Sequence, residues 1–414
     1  MTKQRTFVIV GAGLAGATAA QTLRVQGFDE RVVIIGSEQH RPYQRPPLSK
    51  DYVRGEAGPE TLFVHGKDFY AQHDIELRVG IAATGLDTAR GEVTLDDRSR
   101  VQYDRLLIAT GARPRRLLIP GGELDGIFYL RTLDDSDKLR ERIDRGGKLV
   151  VVGAGWIGTE IAASAQARGM NVTVLDPAQV PLERALGSEV GGIYRDVHTD
   201  NGVHMELGTG VRAFEGSHAV QRALTSDGRY LECDAVVVGV GAQPRTSLAV
   251  QGGLDVDNGI LVNAQLQASA PDVFAAGDAA NAFHPFYDEH VRVEHWANAE
   301  NQGKIAAINM LGGAEVCSEL PYFFSDQFDV GMEYSGLATN SERVVFRGDP
   351  ATREFIAFWL TDNRVVAVMN VNIWDVTDHL RALIQGGAVV DSAALADPAV
   401  PLDQLTASAE ACSS

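Results

Sequence analysis

The stretch LVVVGAGWIGTEIAAS at residues 149–164 closely repeats FVIVGAGLAGATAAQT at residues 7–22, with a constant offset of 142. Each copy begins with a continuous apolar run, which predicts a strand buried on both faces of a parallel sheet. A glycine-rich turn and an alanine-rich helix follow, and then a second apolar strand, RVVIIG at 31–36 or NVTVLD at 171–176. The repeat predicts two Rossmann-like dinucleotide-binding folds in one chain.

The glycines of each copy follow the spacing G-x-G-x-x-G between a strand and a helix. The first glycine permits the tight turn, the second lets a pyrophosphate approach the backbone, and the third allows close helix packing. For a single match, the alternative is a turn without a ligand, but two matches at equal spacing favour nucleotide binding. The six positions are Gly11, Gly13, Gly16, Gly153, Gly155 and Gly158.

An acidic residue at the end of the second strand is expected to bind the adenosine ribose. Asp176 has this position in the second copy, where the alternative is a solvated carboxylate at a strand end. In the first copy the equivalent residue is Gly36, so the ribose contact must come from Ser37, Glu38 or elsewhere. Asp176 favours NADH, although Arg184 could approach a 2′-phosphate, so NADH over NADPH is a preference.

A second pair of similar phrases indicates how the domains are connected. LLIATGARPR at 106–115 and VVVGVGAQPR at 236–245 each place a strand before a proline that cannot continue a helix, where the chain would leave one sheet for another. The predicted fold is α/β, with two tandem Rossmann-like domains, the second inserted in the first, and a C-terminal α+β domain. We expect the end of the chain, from about residue 395, to be frayed. The predicted boundaries are 1–114 with 241–319 for the first domain, 115–240 for the inserted domain and 320–414 for the last.

Composition excludes several classes of function. The chain has 37 basic and 55 acidic residues, a net charge of −18, which disfavours nucleic acid and anionic membranes as partners. The three cysteines, Cys233, Cys317 and Cys412, form no C-x-x-C pair, so we expect no metal knuckle and a cytoplasmic protein. The uncharged run at 6–23 could be misread as a signal sequence or membrane span, but its three glycines favour a strand and a helix.

Four further phrases carry a family resemblance: RPYQRPPLSK at 41–50, ATG at 109–111, VFAAGDAAN at 273–281 and VEHWANAENQG at 293–303. Together with the repeat, they resemble the FAD-dependent ferredoxin reductases of bacterial oxygenase systems. This family includes putidaredoxin reductase and the reductases of aromatic-ring dioxygenases, and its fold is similar to that of glutathione reductase. The resemblance runs from about Thr6 to beyond Gly386. It implies a flavoprotein oxidoreductase that takes a hydride from NADH onto FAD and passes single electrons to a [2Fe–2S] ferredoxin, which feeds a cytochrome P450 or a ring-hydroxylating dioxygenase.

The resemblance also implies which residues bind each cofactor. Arg45 and Lys50 would line the flavin, Asp278 would bind the ribityl chain and Trp296 would lie beside the isoalloxazine, although a plain core aromatic is the alternative for Trp296. The implied FAD residues are Gly11, Gly13, Ala15, Gly16, Glu38, Arg45, Lys50, Ala109, Thr110, Gly111, Arg131, Gly277, Asp278 and Trp296. The implied NAD residues are Gly153, Gly155, Ile157, Gly158, Glu160, Asp176, Arg184 and Gly241.

Lys50 and Glu160 are the two candidate catalytic residues. Glu160 lies two residues past the third glycine of the second copy, near a helix start where the helix dipole tolerates a carboxylate. The resemblance suggests that it pairs with Lys50 close to the flavin and the nicotinamide. The alternatives are an ordinary structural ion pair and, for Lys50, a solvated loop lysine. We expect no metal site, because His284 and His295 have no partner ligands at metal spacing.

The electron acceptor is the least specified part of this interpretation. Disulfide reductases need a cysteine pair beside the flavin, and peroxidases and NADH oxidases need one cysteine near residues 40–45, where this chain reads RPYQRP. The acceptor could instead be rubredoxin, monodehydroascorbate or nitrite reductase, since reductases of these acceptors share the framework. A flavoprotein similar to apoptosis-inducing factor is a more distant alternative. We expect a monomer or weak homodimer. Candidate basic residues for ferredoxin docking, each with a solvated or phosphate-binding alternative, are Arg113, Arg115, Arg116, Arg292, Arg343 and Arg347.

Overall fold

A computed structural model of the chain describes residues 4–339 and 341–405, and its contacts divide the chain into two compact units. Unit 1 consists of Met1–Pro46, Gly58–Arg113 and Ala242–Glu319. Unit 2 consists of Pro47–Ala57, Pro114–Gly241 and Leu320–Ser414. The contacts thus group the predicted inserted domain with the C-terminal region, and the division into three domains stays a prediction.

Unit 1 is built on a five-stranded parallel sheet with the first strand of the chain at its centre. The strand order is Val273–Ala275, Arg105–Ile108, Thr6–Val10, Arg31–Ile35 and Ile75–Arg78. Phe7 lies opposite Val32 on one side and Arg105 on the other. The run from Phe7 to Val10 is buried, as the continuous apolar pattern predicts for a strand covered on both faces. The carboxyl end of this strand, where parallel sheets bind ligands, leads into residues 11–16, the first glycine loop.

The remaining elements of unit 1 surround this sheet. The helices are Leu14–Val25, Phe69–Gln72, Ser247–Gln251 and Trp296–Met310, with 3₁₀ turns at Pro59–Leu62 and Gly277–Ala279. One further sheet contains Ala83–Asp87, Glu92–Leu95 and Arg100–Gln102, and another contains Ile260–Val262, Ala280–His284 and Glu289–Val291. Short strands at Ala112–Pro114 and Ala242–Pro244 lie where the chain changes unit.

Unit 2 contains the second parallel sheet, which repeats the pattern of the first. Its order is His204–Leu207, Asn171–Asp176, Lys148–Val152, Ala235–Val238 and Ile127–Phe128. The central strand Lys148–Val152 leads into residues 153–158, the second glycine loop, and then into the Trp156–Ala167 helix. A small antiparallel sheet contains Val211–Glu215, Arg222–Thr225 and Tyr230–Glu232.

Unit 2 also contains an antiparallel sheet formed by the C-terminal region. Its order is Tyr322–Gln327, Val330–Gly336, Arg364–Val371, Glu354–Thr361 and Arg343–Asp349. The apolar face of the Glu183–Asp200 helix packs on it, with Tyr194 and Trp359 in one buried cluster. Gly187, with a φ of 79°, interrupts this helix. The other helices of unit 2 are Asp51–Arg54, Leu133–Asp144, Thr377–Gly386 and Ser392–Ala396, with 3₁₀ turns at Pro350–Thr352 and Leu402–Gln404 and, across the boundary between the units, Pro46–Ser49.

The end of the described chain is packed rather than frayed, as far as residue 405. Leu395 and Leu405 are buried, and this corrects the expectation of a frayed end from about residue 395. Arg347, a buried residue, holds the chain between these leucines, because its guanidinium donates to three backbone carbonyl groups. They belong to Asp397, Pro398 and Val400. Residues 406–414 lie outside the described residues.

The predicted fold class is confirmed, since both parallel sheets and the C-terminal α+β arrangement are present. The two glycine loops follow corresponding strands, as the repeat predicts. Within residues 4–339 and 341–405, every helix is too short or too polar to cross a bilayer.

Candidate functional site

The first glycine loop has two crowded glycines and one that faces open space. A Cβ added at Gly11, where φ is 125°, would lie 2.0 Å from the carbonyl oxygen of Ala109. A Cβ at Gly16 would lie 2.0 Å from the carbonyl oxygen of Gly11. A Cβ at Gly13 would have no neighbour within 4 Å, so the backbone there is accessible to a ligand.

The second glycine loop repeats this arrangement. A Cβ at Gly153 would lie 2.5 Å from the carbonyl oxygen of Gly239, and one at Gly158 would lie 1.9 Å from that of Gly153. At Gly155 the nearest atom would be 4.0 Å away. In both loops the outer glycines therefore serve the fold, and the middle glycine leaves an uncovered stretch of backbone.

Both loops present the start of a helix that no side chain caps. Gly13 and Gly155 are the N-cap residues, neither helix has a side-chain cap, and neither has an acidic residue in its first turn. The first N–H groups of a helix lack partners within the helix and carry a partial positive charge. The geometry and the donors fit a pyrophosphate at each loop.

The ribose position of the first copy is sterically different from that of the second. A Cβ at Gly36 would lie 2.4 Å from the Cβ of Ala12, so a larger residue there would require Ala12 or the backbone to shift. Glu38, the predicted substitute, accepts hydrogen bonds from the guanidinium of Arg45 at 2.9 Å and from the hydroxyl of Tyr43. Burial raises the pKa of Glu38, but the charge of Arg45 and these hydrogen bonds outweigh it and lower the pKa overall.

The second copy holds its acid against the loop. Asp176 ends the Asn171–Asp176 strand and accepts backbone hydrogen bonds from Ala154 at 2.7 Å and Ala178 at 2.8 Å. Arg184 is exposed on the Glu183–Asp200 helix, and Ile157 is 43% exposed on the first turn of the Trp156–Ala167 helix.

Several predicted FAD residues follow strand ends of unit 1. The Ala109 N–H donates to the Val10 carbonyl at 2.7 Å, and the Thr110 hydroxyl donates to the Arg245 carbonyl at 2.7 Å. Gly111 has a φ of 67°. Asp278 is buried in the Gly277–Ala279 turn.

Packing around the Trp296–Met310 helix holds this region together. The Gly277 N–H donates to the buried Gln302 side chain at 2.9 Å. A Cβ at Gly303 would lie 2.5 Å from the carbonyl oxygen of Ala15, so this helix packs closely on the helix of the first copy.

Trp296 begins this helix with a buried indole N–H that has no hydrogen-bond partner among the described residues. A buried donor of this kind normally has a partner, so the position fits a polar group of a bound cofactor. The preceding His295 is neutral at physiological pH, because burial lowers its pKa to about 4 although Asp278 opposes the shift.

Two predicted cofactor residues lie in unit 2 away from the loop. Arg131 precedes the Leu133–Asp144 helix, and its backbone N–H donates to Asp135 at 3.2 Å. Gly241 has a φ of 100°, and its carbonyl accepts from the Arg115 N–H at 2.9 Å.

Glu160 is buried on the Trp156–Ala167 helix, where its side chain is surrounded by hydrogen-bond donors. The Ser49 hydroxyl donates to Oε2 at 2.5 Å, and the Ser325 hydroxyl donates to Oε1 at 2.7 Å. The Lys50 Nζ lies 4.0 Å from Oε1. Burial raises the pKa of Glu160, and the lysine and the two hydroxyl groups offset part of that shift.

Lys50 is 6% exposed although it carries a charge. Its Nζ lies 3.3 Å from Oδ2 of Asp326 and 4.5 Å from the ring centroid of Phe324, over the ring face. The ammonium therefore has two carboxylates and an aromatic face around it, which compensates for the loss of hydration. Lys50 and Glu160, predicted together from the sequence, are neighbours in unit 2.

The sequence reasoning missed the residues that surround this pair. Ser49 adjoins Lys50 in the phrase RPPLSK, so proximity in sequence could have indicated it. Ser325 and Asp326 belong to a strand 165 residues after Glu160, and no sequence pattern connects them.

Three of the predicted docking arginines have contacts within their own unit. Arg347 binds the three carbonyl groups described above, Arg343 donates to Asn363 and Ser392, and Arg292 pairs with Glu294. The other three also have contacts and are exposed, as Arg343 is; Arg113 donates to Gln243, the Arg115 N–H donates to Gly241, and Arg116 lies over the Tyr129 ring.

Two similar glycine loops in one chain, each with an uncovered helix start, fit an oxidoreductase that binds two nucleotides. Residues 5–303 match the family described as pyridine nucleotide-disulphide oxidoreductase, and residues 322–406 match the family described as reductase C-terminal.

Known proteins resemble the chain along nearly its whole length. It is 40% identical to the ferredoxin–NAD(+) reductase component of the anthranilate 1,2-dioxygenase system of Burkholderia cepacia, over 96% of this chain and 98% of that protein. It is 37% identical to putidaredoxin reductase of Pseudomonas putida, over 99% of each chain. The fold matches the reductase in the crystal structure of the covalent putidaredoxin reductase–putidaredoxin complex, with a TM-score of 0.94, 37% identity and coverage of 98% of this chain and 99% of that one.

The chain therefore belongs to the pyridine nucleotide-disulphide oxidoreductase family, among the FAD-dependent ferredoxin–NAD(+) reductases, which use FAD and NADH. The family resemblance predicted from the sequence is confirmed.

Proposed function

We propose that this chain is an NADH-dependent reductase of a [2Fe–2S] ferredoxin that feeds a cytochrome P450 or a ring-hydroxylating dioxygenase. The relatives are ferredoxin reductase components of oxygenase systems, and a related reductase forms a complex with putidaredoxin. The observation that carries the proposal is the pair of glycine loops, each with a middle glycine open to a ligand. Two dinucleotides are what a flavin-dependent NADH reductase requires.

Unit 1 would bind FAD through its glycine loop and the strand ends that follow. The Gly13 backbone would approach the pyrophosphate, and the loop residues 109–111 and Asp278 would contact the rest of the cofactor. The buried indole N–H of Trp296, which has no partner in the part of the chain that the structure describes, supports its assignment to this group. Arg45 and Glu38 would contact FAD together, because Arg45 donates a hydrogen bond to Glu38 and fixes its position.

Unit 2 would bind NADH through Gly155 and Asp176. Both carboxylate oxygens of Asp176 accept backbone hydrogen bonds, and each has a second lone-pair direction for a ribose hydroxyl. An acid at this position disfavours the added charge of a 2′-phosphate, so NADH is preferred to NADPH. The exposed Ile157 would provide an apolar contact on the first helical turn.

Lys50 and Glu160 would act at the site of reaction with NADH. When bound, FAD accepts two electrons as a hydride and releases them one at a time. The buried Lys50 would stabilise negative charge that develops near it, and its neighbour Glu160 would hold it in place. Both side chains lie in surroundings from which water is largely excluded, which strengthens these electrostatic effects.

The two described cysteines do not have the reactivity that a disulfide reductase needs, which supports an acceptor other than a disulfide. Cys233 and Cys317 are buried, and burial raises the pKa of the Cys233 thiol to about 12. A thiol that stays protonated is a poor redox nucleophile. We further propose that the chain acts in the cytoplasm as a monomer or weak homodimer and does not bind nucleic acid. Its acidic net charge supports the last of these proposals.

NADH-driven cytochrome c reduction tests this function, with small [2Fe–2S] proteins added one at a time to the yellow holoenzyme. We expect a strong rate with one ferredoxin and a much weaker rate without it. The Glu160→Ala variant should reduce its flavin more slowly in a stopped-flow mixing experiment with NADH. A preparation that stays colourless after incubation with FAD, or a holoenzyme that no ferredoxin accelerates, would refute the proposal.

A further inference from the structure

A line of buried hydrogen bonds extends from Glu160 into the C-terminal sheet of unit 2. Ser325 donates to Glu160 at 2.7 Å, and the amide nitrogen of Gln327 donates to the Ser325 hydroxyl at 3.1 Å. The amide oxygen of Gln327 lies 2.8 Å from Nε2 of His198. Ser325, Gln327 and His198 are each 2% exposed or less. We call these four residues the Glu160 relay.

The backbone explains why the relay is continuous. Ser325 and Gln327 are two residues apart on the Tyr322–Gln327 strand, so their side chains lie on the same face. His198 lies in the last turn of the Glu183–Asp200 helix, and Glu160 lies on the Trp156–Ala167 helix. The strand therefore connects two helices of unit 2 through these side-chain hydrogen bonds.

The donors and acceptors of the relay have one consistent direction. Since the Ser325 proton is given to the carboxylate, its oxygen must accept from the amide nitrogen of Gln327. The amide oxygen of Gln327 then faces His198, which must carry its proton on Nε2. Nδ1 of His198 has no partner among the described residues.

The opposite direction would be less favourable. A proton on Oε1 of Glu160 would be donated to Ser325, the amide of Gln327 would turn over, and the proton of His198 would move to Nδ1. There it would be a buried N–H without an acceptor, and such groups are rare in folded proteins. The relay as built therefore disfavours a proton on Oε1 of Glu160, the oxygen that accepts from Ser325.

The other titratable groups around Glu160 do not determine where its proton would lie. Lys50 lies 4.0 Å from Glu160 and is shared with Asp326. The Tyr194 hydroxyl is buried without a partner among the described residues, and burial and the charge of Glu160 raise its pKa. The tyrosine is therefore neutral, and Ser49 and Ser325 supply the two short hydrogen bonds to the carboxylate.

We propose that Ser325, Gln327 and His198 are positioning residues that hold the Glu160 carboxylate in one orientation and keep its Oε1 free of a proton. This inference rests on the proposed function for the role of Glu160 in the reaction with NADH. The relay gives the C-terminal region a part in the nucleotide-binding half of the reaction.

Nuclear magnetic resonance of the full-length protein labelled with ¹⁵N-histidine tests the relay without turnover. The His198 signals are identified by their loss in His198→Gln. We expect a neutral ring with the proton on Nε2 from about pH 5 to pH 9, whereas an exposed histidine changes charge in that range. A proton on Nδ1, or a charged ring at neutral pH, would overturn the inference.

The pH profile of flavin reduction by NADH tests what the relay does. Ser325→Ala removes a hydrogen bond to a charged group, so the fall in rate at acid pH should move upward by about 1 to 2 pH units. Gln327→Met should give a smaller shift in the same direction. The matched control is Ser335→Ala, because Ser335 is 1% exposed in the same sheet and accepts from Arg381 instead.

The outcomes separate the inference from the proposed function. A wild-type pH profile in both Ser325→Ala and Gln327→Met, or an equal shift in Ser335→Ala, would overturn the relay. An unchanged rate in Glu160→Ala would remove Glu160 from the reaction and with it the catalytic part of the inference. The histidine signals would still decide whether the relay exists.

Discussion

The second glycine loop allows a paired test of fold against binding, with one added methyl group at each of two positions. In Gly158→Ala the new Cβ would lie 1.9 Å from the carbonyl oxygen of Gly153, far inside the contact distance of about 3.5 Å. In Gly155→Ala the nearest atom would be 4.0 Å away. Gly155 has φ −80° and ψ −178°, a conformation that alanine adopts without strain.

The two variants should therefore fail in different ways. Gly158→Ala must displace backbone, which costs about 3 kcal/mol or more and lowers the thermal midpoint by roughly 5 °C or more. Gly155→Ala should unfold within about 2 °C of the wild type, because the carbonyl oxygen of Gly239, 4.0 Å from its methyl group, is at an ordinary contact distance. That methyl group would instead occupy the approach of the pyrophosphate and weaken dinucleotide binding about tenfold, or by about 1.4 kcal/mol.

Thermal unfolding and calorimetric titration with NAD⁺ measure the two effects, since NAD⁺ binds without turnover. Unchanged NAD⁺ affinity in a well-folded Gly155→Ala would refute the assignment of the open face to the pyrophosphate. An equal loss of stability in both variants would refute the steric argument.

Four further predictions follow from the same geometry. Gly13→Ala should purify folded but with reduced FAD content, measured by absorbance, and full occupancy would count against the first site. Arg347→Met should speed limited proteolysis within residues 397–405, since it removes the hydrogen bonds that hold this segment. The pKa of His198 is lowered by burial from its ordinary 6.5 to about 4, so the unfolded chain binds more protons between these values. The neutral His198 therefore contributes its full share to the free energy of unfolding above pH 6.5, and about 3 kcal/mol of that share is lost as the pH falls towards 4. In denaturant titrations, the free energy of unfolding of His198→Gln should fall less over this pH range than that of the wild type. If exposed arginines such as Arg116 steer an acidic ferredoxin, its reduction should slow as salt rises, and a rate independent of salt would exclude steering.

The sequence could predict the sheets because their signals are local. The apolar strands and the spacing of Gly11, Gly13 and Gly16 specify a strand, a turn and a helix within one short segment. The repeat at an offset of 142 made the second fold as visible as the first. The Lys50–Glu160 pair came from the family resemblance, because nothing local to either residue indicates the other.

The surroundings of that pair could not be predicted because they depend on long-range packing. Ser325 reaches Glu160 from a strand whose sequence is typical of any antiparallel sheet. The anchoring of the last described residues by Arg347 was missed for the same reason, since an arginine on a strand usually faces solvent. Polar composition near residue 395 indicated fraying, whereas buried leucines and the guanidinium decide the structure.

The crowding at Gly36 has a practical meaning for redesign of coenzyme use. A designer who copies the aspartate of the second half into the first would drive its Cβ to within 2.4 Å of the methyl group of Ala12. The transplant would require Ala12 or the backbone beside it to shift, since the second half holds Asp176 beside an alanine at the corresponding position, Ala154. The two Rossmann-like folds have similar sequences, but their residues at this position cannot simply be exchanged.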